Sequence, residues 1–187
     1  MHIGILGGSF NPPHLGHVLV AQQILDFTDI EKIWLLPAYN HTFGKTLLDI
    51  KHRLAMTKML VGKQIEISTL EIDHKLDGNT INLVPILEKQ YPEIKFTFII
   101  GSDQLPTFHK WGSWQELLQK LPFLVFLRAG YPAKPLYKGM QDIDNPLLIT
   151  TNISSSLVRE RLKKGFSINH LVPPLVEAYI NKHGLYH

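Results

Sequence analysis

Two histidines, His14 and His17, close the run Gly7-Gly8-Ser9-Phe10-Asn11-Pro12-Pro13-His14-Leu15-Gly16-His17. Imidazoles three residues apart share one face of a helix. When they donate to a phosphoryl oxygen, they stabilise the negative charge that grows in a transition state. Gly7 and Gly8 are expected to turn the chain sharply and let its backbone approach a ligand with no Cβ in the way. Pro12 and Pro13 are expected to preset φ for the start of a helix and to remove donors that would otherwise be orphaned. The free N–H groups of the first helical turn and the helix dipole then favour an anion there. Together these residue types read as a polyphosphate site. A two-histidine metal site is a competing reading, but it calls for a nearby carboxylate or third histidine, and none is obvious. Surface histidines capping a helix are the blander reading, and the glycines and prolines around both argue against it.

Two further stretches could meet the same anion. In Ile153-Ser154-Ser155-Ser156-Leu157-Val158-Arg159, serines gather at a helix start, where hydroxyls cap backbone donors, and Arg159 lies one turn in. Gly101-Ser102-Asp103 follows an apolar run and leads to Trp111 and Trp114. An exposed Asp after a strand is also an ordinary N-cap, and either Trp could be core.

The first stretch resembles the His-x-Gly-His signature of the nucleotidyltransferase α/β superfamily. In its extended form, Gly8 to His17, it resembles the bacterial nicotinate mononucleotide adenylyltransferases. The serine stretch is similar to that family's Ile-Ser-Ser-Thr/Ser-x-x-Arg motif, and Gly101-Ser102-Asp103 with Trp111 to its Gly-Ala-Asp…Trp segment, with Ser102 in place of alanine. Arg128-Ala129-Gly130-Tyr131 is similar to an Arg-Pro-Gly-Tyr segment of relatives. Arg53 sits where they carry an arginine before a helix, although a solvated helix arginine accounts for it equally well.

The resemblance implies transfer of AMP from ATP to nicotinate mononucleotide, giving nicotinate adenine dinucleotide and pyrophosphate. Mg²⁺ would be bound through ATP, with no dedicated protein metal site. His14 and His17 become the catalytic pair, His17 on the α-phosphate and His14 on the outer phosphates. Gly8, Ser9, Phe10, Gly16, Asp103, Ser154, Ser155 and Arg159 become the ATP and phosphate residues. Lys45, Thr80 and Trp111 become the acceptor residues, with Trp111 stacking on the pyridine ring. One segment departs from the pattern: Gly78-Asn79-Thr80 stands where relatives carry Ser-Tyr-Thr. The amide mononucleotide or another phosphate ester therefore stays open as acceptor, as does a regulator that binds nucleotide without turnover. The acceptor phosphate is already ionised near neutral pH, so the chemistry needs neither a general base nor a nucleophilic side chain. Positioning and charge stabilisation suffice.

The elements that must hold these residues can be read from apolar periodicity. Strands are predicted at 2–6, 32–36, 64–67, 95–100, 122–127 and 147–149. Helices are predicted at 14–27, 48–61, 81–90, 114–119, 155–164 and 174–182. In the first helix Leu15, Val18, Ala21 and Leu25 mark the apolar face. Pro85 predicts that the third helix starts late or kinks. Strand–helix alternation of this kind predicts an α/β fold, a doubly wound parallel sheet with Rossmann-like topology, in a single domain over residues 1–187. Ligands in such sheets bind beyond the carboxyl ends of the strands.

Composition narrows the class. The 187 residues are 44% hydrophobic and 19% charged, with a net charge of +3 and no cysteine. Disulfides and thiolate chemistry are excluded. With no long Lys/Arg block, that charge suits a phosphorylated small molecule better than nucleic acid. No stretch reads as a signal peptide or membrane span. The expectation is a cytoplasmic enzyme whose partners are ATP and a pyridine mononucleotide, with no nucleic acid and no membrane; a homo-oligomer is left open.

Overall fold

Short runs rich in β-branched and aromatic residues form the strands, and the alternation of their side chains sends successive residues to opposite faces. The computed structural model describes residues 1–40, 46–132 and 134–187. Strands β1 (His2–Gly8), β2 (Lys32–Pro37), β3 (Ile65–Ile67), β4 (Lys95–Gly101), β5 (Phe123–Phe126) and β6 (Met140–Asp142) make one parallel sheet in the order β3-β2-β1-β4-β5-β6. Helices are α1 (Leu15–Phe27), α2 (Ile50–Lys58), α3 (Leu70–Asp73), α4 (Val84–Gln90), α5 (Trp114–Lys120), α6 (Ser155–Lys163) and α7 (Pro174–His183). Short 3-10 helices cover Thr80–Asn82 and Ser102–Lys110.

The two sheet faces carry separate apolar clusters. Ile33, Leu35, Ile99, Leu124 and Phe126 pack with Ala21 and Ile24 of α1, Met56 of α2, Val158 of α6 and Val176 and Ile180 of α7. On the other face Ile3, Ile5, Phe98, Ile100, Phe123 and Val125 meet Leu87 of α4, Leu117 of α5 and Phe108. This is the doubly wound α/β arrangement expected from the alternation of elements, and its strand order reverses direction between β1 and β4. A crevice opens at such a reversal, beyond the carboxyl ends of the two diverging strands.

Several expectations are corrected. Residues 147–149 are not a strand: Leu147 and Ile149 are 72% and 61% exposed, and β6 has already closed that edge of the sheet. The backbone of Ile149 instead brackets the Gln23 side-chain amide, its N–H donating to Oε1 at 2.6 Å and its carbonyl accepting from Nε2 at 3.0 Å. Pro85 meets its expectation through the first of its two alternatives: α4 starts late, with the proline in its first turn and the 3-10 turn Thr80–Asn82 in front. The glycines after β1 do not turn the chain, for β1 runs through Gly8, which pairs with Pro37. The left-handed residue is Phe10, with φ 44. Gly7 is required for space, because a Cβ there would lie 2.7 Å from the Phe98 ring. Among the described residues no helix is long and apolar enough to cross a membrane.

Candidate active site

A cavity of about 640 Å³ opens where β1 and β4 diverge, within the size range of small-molecule sites. β1 ends on Gly7 and Gly8 at its wall, followed by Ser9; β4 ends on Gly101, and the start of α6 brings Ser154 and Ser155. His14 and His17 face it from the N-terminus of α1, and Arg128 from the loop after β5.

His14 is not inside α1 as expected; it is the N-cap, with extended backbone (φ −148, ψ 170), so the prolines precede the helix. The two imidazoles lie against each other, tilted by 33°, with ring centroids 3.8 Å apart, and Phe10 lies 4.7 Å from the His17 ring. The His14 backbone N–H donates to His17 Nδ1 at 3.1 Å. An Nδ1 that accepts carries no proton, so neutral His17 keeps its proton on Nε2, at the far end of a ring that lines the cavity. Burial, then the nearby positive charge of Arg128, lowers the His17 pKa to about 3. Burial lowers His14 further, helped by His17 and Arg128. Both rings are thus neutral donors in the free protein. A polyphosphate entering beside them would favour their charged forms. Gly16 makes room for this pair, since a Cβ there would stand 2.9 Å from His14 Nδ1 and 3.3 Å from Ile153 O.

The α6 N-terminus faces the same wall. Ser154 is its N-cap and accepts from the Leu157 N–H at 3.2 Å. Ser155 Oγ donates to Pro12 O at 2.7 Å. Arg128 Nη2 donates to Ile153 O at 3.0 Å, and its Nη1 lies 3.5 Å from Asp103 Oδ2. Ser102 supports Arg128: its Oγ accepts the Arg128 N–H at 3.0 Å and donates to Tyr131 O at 2.8 Å.

At the other end the cavity is lined by Trp111, Gly112, Asn79, Thr80, Glu71 and Asn40. Trp111 packs edge-on to Phe98 at 6.3 Å, and its buried indole Nε1–H has no partner among the described residues. Thr80 is buried, only 8% exposed. Asp77 holds Asn79 by its backbone N–H at 2.9 Å and its amide at 2.8 Å. Glu71 is a buried carboxylate that sequence reasoning missed. Burial raises its pKa to about 6, opposed by the hydrogen bond it accepts from the Tyr39 N–H at 3.3 Å.

The cavity thus gathers Gly8, Ser9, His14, Gly16, His17, Thr80, Trp111, Ser154 and Ser155 of the expected residues. Phe10, Asp103 and Arg159 lie outside its lining: Phe10 is buried behind His17, Asp103 pairs with Arg128, and Arg159 Nη1 donates to Asn11 O at 2.7 Å. Lys45 falls outside the described residues. Arg53 is not a solvated helix arginine. It is 1% exposed and donates to Ser9 O, Ala38 O and Leu48 O at 2.9, 2.8 and 2.8 Å, joining the segments after β1 and β2. Its apolar setting could be suspected from the surrounding Leu and Met, but its carbonyl partners could not.

The sequence pattern of the cytidylyltransferase-like family matches residues 5–161. A Myxococcus xanthus protein described as "Probable nicotinate-nucleotide adenylyltransferase" is 34% identical, over 100% of this chain and 95% of its own. The Plasmodium falciparum nicotinic acid mononucleotide adenylyltransferase complexed with NaAD superposes with a TM-score of 0.84 at 27% identity, over 99% of this chain and 97% of its own. The same enzyme complexed with APC gives a TM-score of 0.83 at 26% identity, over 99% and 96%.

Proposed function

The chain belongs to the cytidylyltransferase-like family and, within it, to the nicotinate-nucleotide adenylyltransferases, and on that premise we propose that it transfers AMP from ATP to nicotinate mononucleotide. The products are nicotinate adenine dinucleotide and pyrophosphate. The observation that carries this reading is the close His14–His17 pair at the β1/β4 crevice, its outer donor set by the His14 N–H bond to Nδ1.

In this reading the triphosphate lies along the ends of β1 and α6. His17 Nε2–H donates to the α-phosphate, and His14 to the outer phosphates. Gly8, Ser9 and Gly16 allow the close approach, and Ser154 and Ser155 bring the positive end of the α6 dipole to the leaving pyrophosphate. Arg128 adds the cation. The mononucleotide occupies the other end, its pyridine ring against Trp111 and its substituent near Thr80, with Lys45 proposed to approach from the segment after β2. Asp103 is proposed to serve the adenylyl-side ribose from beside Arg128. The acceptor phosphate attacks the α-phosphorus directly, and the chain supplies alignment and charge.

Mg²⁺ is proposed to arrive on the nucleotide. Among the described residues no three His, Asp or Glu side chains cluster to hold a metal, and the donors near the phosphates are neutral or cationic. That set fits an ion carried by phosphate oxygens. When bound, the ion would neutralise charge on the leaving pyrophosphate. A cytoplasmic setting suits an enzyme that draws on ATP, and the modest net charge of +3 supports small-molecule partners over nucleic acid.

The test is pyrophosphate release from purified protein with ATP, Mg²⁺ and either nicotinate or nicotinamide mononucleotide, side by side. Release with the acid is the expected result. Release with the amide alone would move the acceptor, and ATP binding with no release from either would leave a nucleotide-binding regulator instead.

A further inference from the structure

The carbonyls of Ser9, Asn11 and Pro12 are held by side chains distant in sequence. Arg53 Nη1 donates to Ser9 O at 2.9 Å, Arg159 Nη1 to Asn11 O at 2.7 Å and Ser155 Oγ to Pro12 O at 2.7 Å. A further donor arrives from beyond α7: the Tyr186 hydroxyl lies 2.8 Å from Asn11 Oδ1. Asn11, only 5% exposed, therefore has both its backbone and side-chain oxygens engaged. Oxygens left unpaired here would oppose a polyphosphate, and these are already engaged by protein donors.

Tyr186 is set firmly for this contact. Its backbone is left-handed, φ 69, a conformation a bulky residue keeps only where its surroundings hold it. The preceding Leu185 is buried in the core at 8% exposure, and its N–H bonds Ile180 O at 3.1 Å. From Asn11 the chain reaches His14 through Pro12 and Pro13, whose fixed φ leaves little slack. A shift at Asn11 is therefore passed to the His14 ring and to the His17 ring lying against it. Tyr186 is not part of the cavity lining, so any effect it has on the site passes through other residues.

We propose that Tyr186 is a positioning residue for adenylyl transfer, holding through Asn11 the loop that sets His14 and His17. The inference rests on the adenylyltransferase reading. It assigns Arg159 the same duty on the neighbouring carbonyl, in place of direct contact with pyrophosphate.

Tyr186→Phe removes the donor and keeps the ring. The expected result is a roughly ten-fold lower kcat with KM for ATP changed by less than about two-fold, since small misplacements of reacting groups act on turnover. Asn11→Ala should give a similar loss, and the double variant should be no worse than either single one, because both remove one contact. Full kcat in Tyr186→Phe, with only a lower thermal midpoint, would reduce the contact to a structural one and overturn the proposal; so would losses that multiply in the double variant. Ring ¹⁵N spectra of His14 and His17, recorded without substrate, give a second decision. Shifted resonances in Tyr186→Phe support the relay, and unshifted ones overturn it. If the wild type released no pyrophosphate with any mononucleotide, the adenylyltransferase reading would fall, and these spectra would still decide whether Tyr186 sets the histidines.

Discussion

His17 owes its proton position to one backbone hydrogen bond, the His14 N–H donating to Nδ1 at 3.1 Å. The donor left on Nε2 is preorganised, and a preorganised donor aimed at developing charge lowers turnover by roughly 10² to 10³ when removed. His17→Ala should therefore lose about that much in kcat at unchanged secondary structure, measured by pyrophosphate release and circular dichroism. Near-normal turnover in a folded variant would remove His17 from the mechanism. The pair itself was legible in the sequence, because its residues are contiguous and their types are unusual for a core. Glu71 and Arg128 were harder to read as cavity residues. A Glu after a short strand or an Arg after an apolar run is commonplace, and only the packed structure brings them to the cavity wall.

Elements position these residues through close approach. At the start of α1, Gly16 lets the His14 ring lie against the helix, with Ile153 O pressing from the other side. Gly16→Ala would place a methyl 2.9 Å from His14 Nδ1, so that ring must move. Alanine also favours the helix by up to about 1 kcal/mol, which offsets much of the crowding in the stability balance. A roughly ten-fold or greater fall in kcat is therefore expected, with unfolding free energy within about 1 kcal/mol of wild type. Equal kcat in urea-stable protein would show that the His14 position does not matter. Most helices and strands were legible because their periodicity is local, though the four-residue α3 was not, and Pro85 marked the late start of α4 correctly. Residues 147–149 carried the apolar, β-branched signature of a strand, yet their backbone found the Gln23 amide instead of a neighbouring strand.

Stability should respond to pH through the buried histidines. Their folded-state pKa values are depressed, with His17 at about 3, so below the ordinary histidine value the unfolded chain binds more protons. Stability then falls as pH drops through that value towards about 3. Glu71 works in the opposite sense over a narrower window. Its pKa is raised to about 6, so its contribution is present below the ordinary carboxylate value and is lost as pH rises through about 6. Between about pH 7 and pH 5 each histidine kept neutral costs roughly 2 kcal/mol, more than one carboxylate can return. Urea unfolding at the two pH values should show wild type losing stability at the lower one, and His14→Gln/His17→Gln losing markedly less. Equal losses in both proteins would show that the histidines are not held neutral.

The sequence by itself determined the alternation of most strands and helices, since that spacing is encoded between near neighbours, but not the short α3 or β6. It also carried the His-x-Gly-His stretch and the family resemblance, because Gly8 to His17 is one unbroken segment. The tertiary structure decided which strand closes the sheet and which distant donors reach the loop. Arg53 meets Ser9 across 44 residues, Arg159 meets Asn11 across 148, and Tyr186 meets Asn11 across 175. Those contacts depend on β1 and β4 lying side by side at the centre of the sheet with α2, α6 and α7 over one face. No local preference specifies that arrangement. Burial of two apolar clusters on opposite faces does, and the site forms where the sheet changes direction.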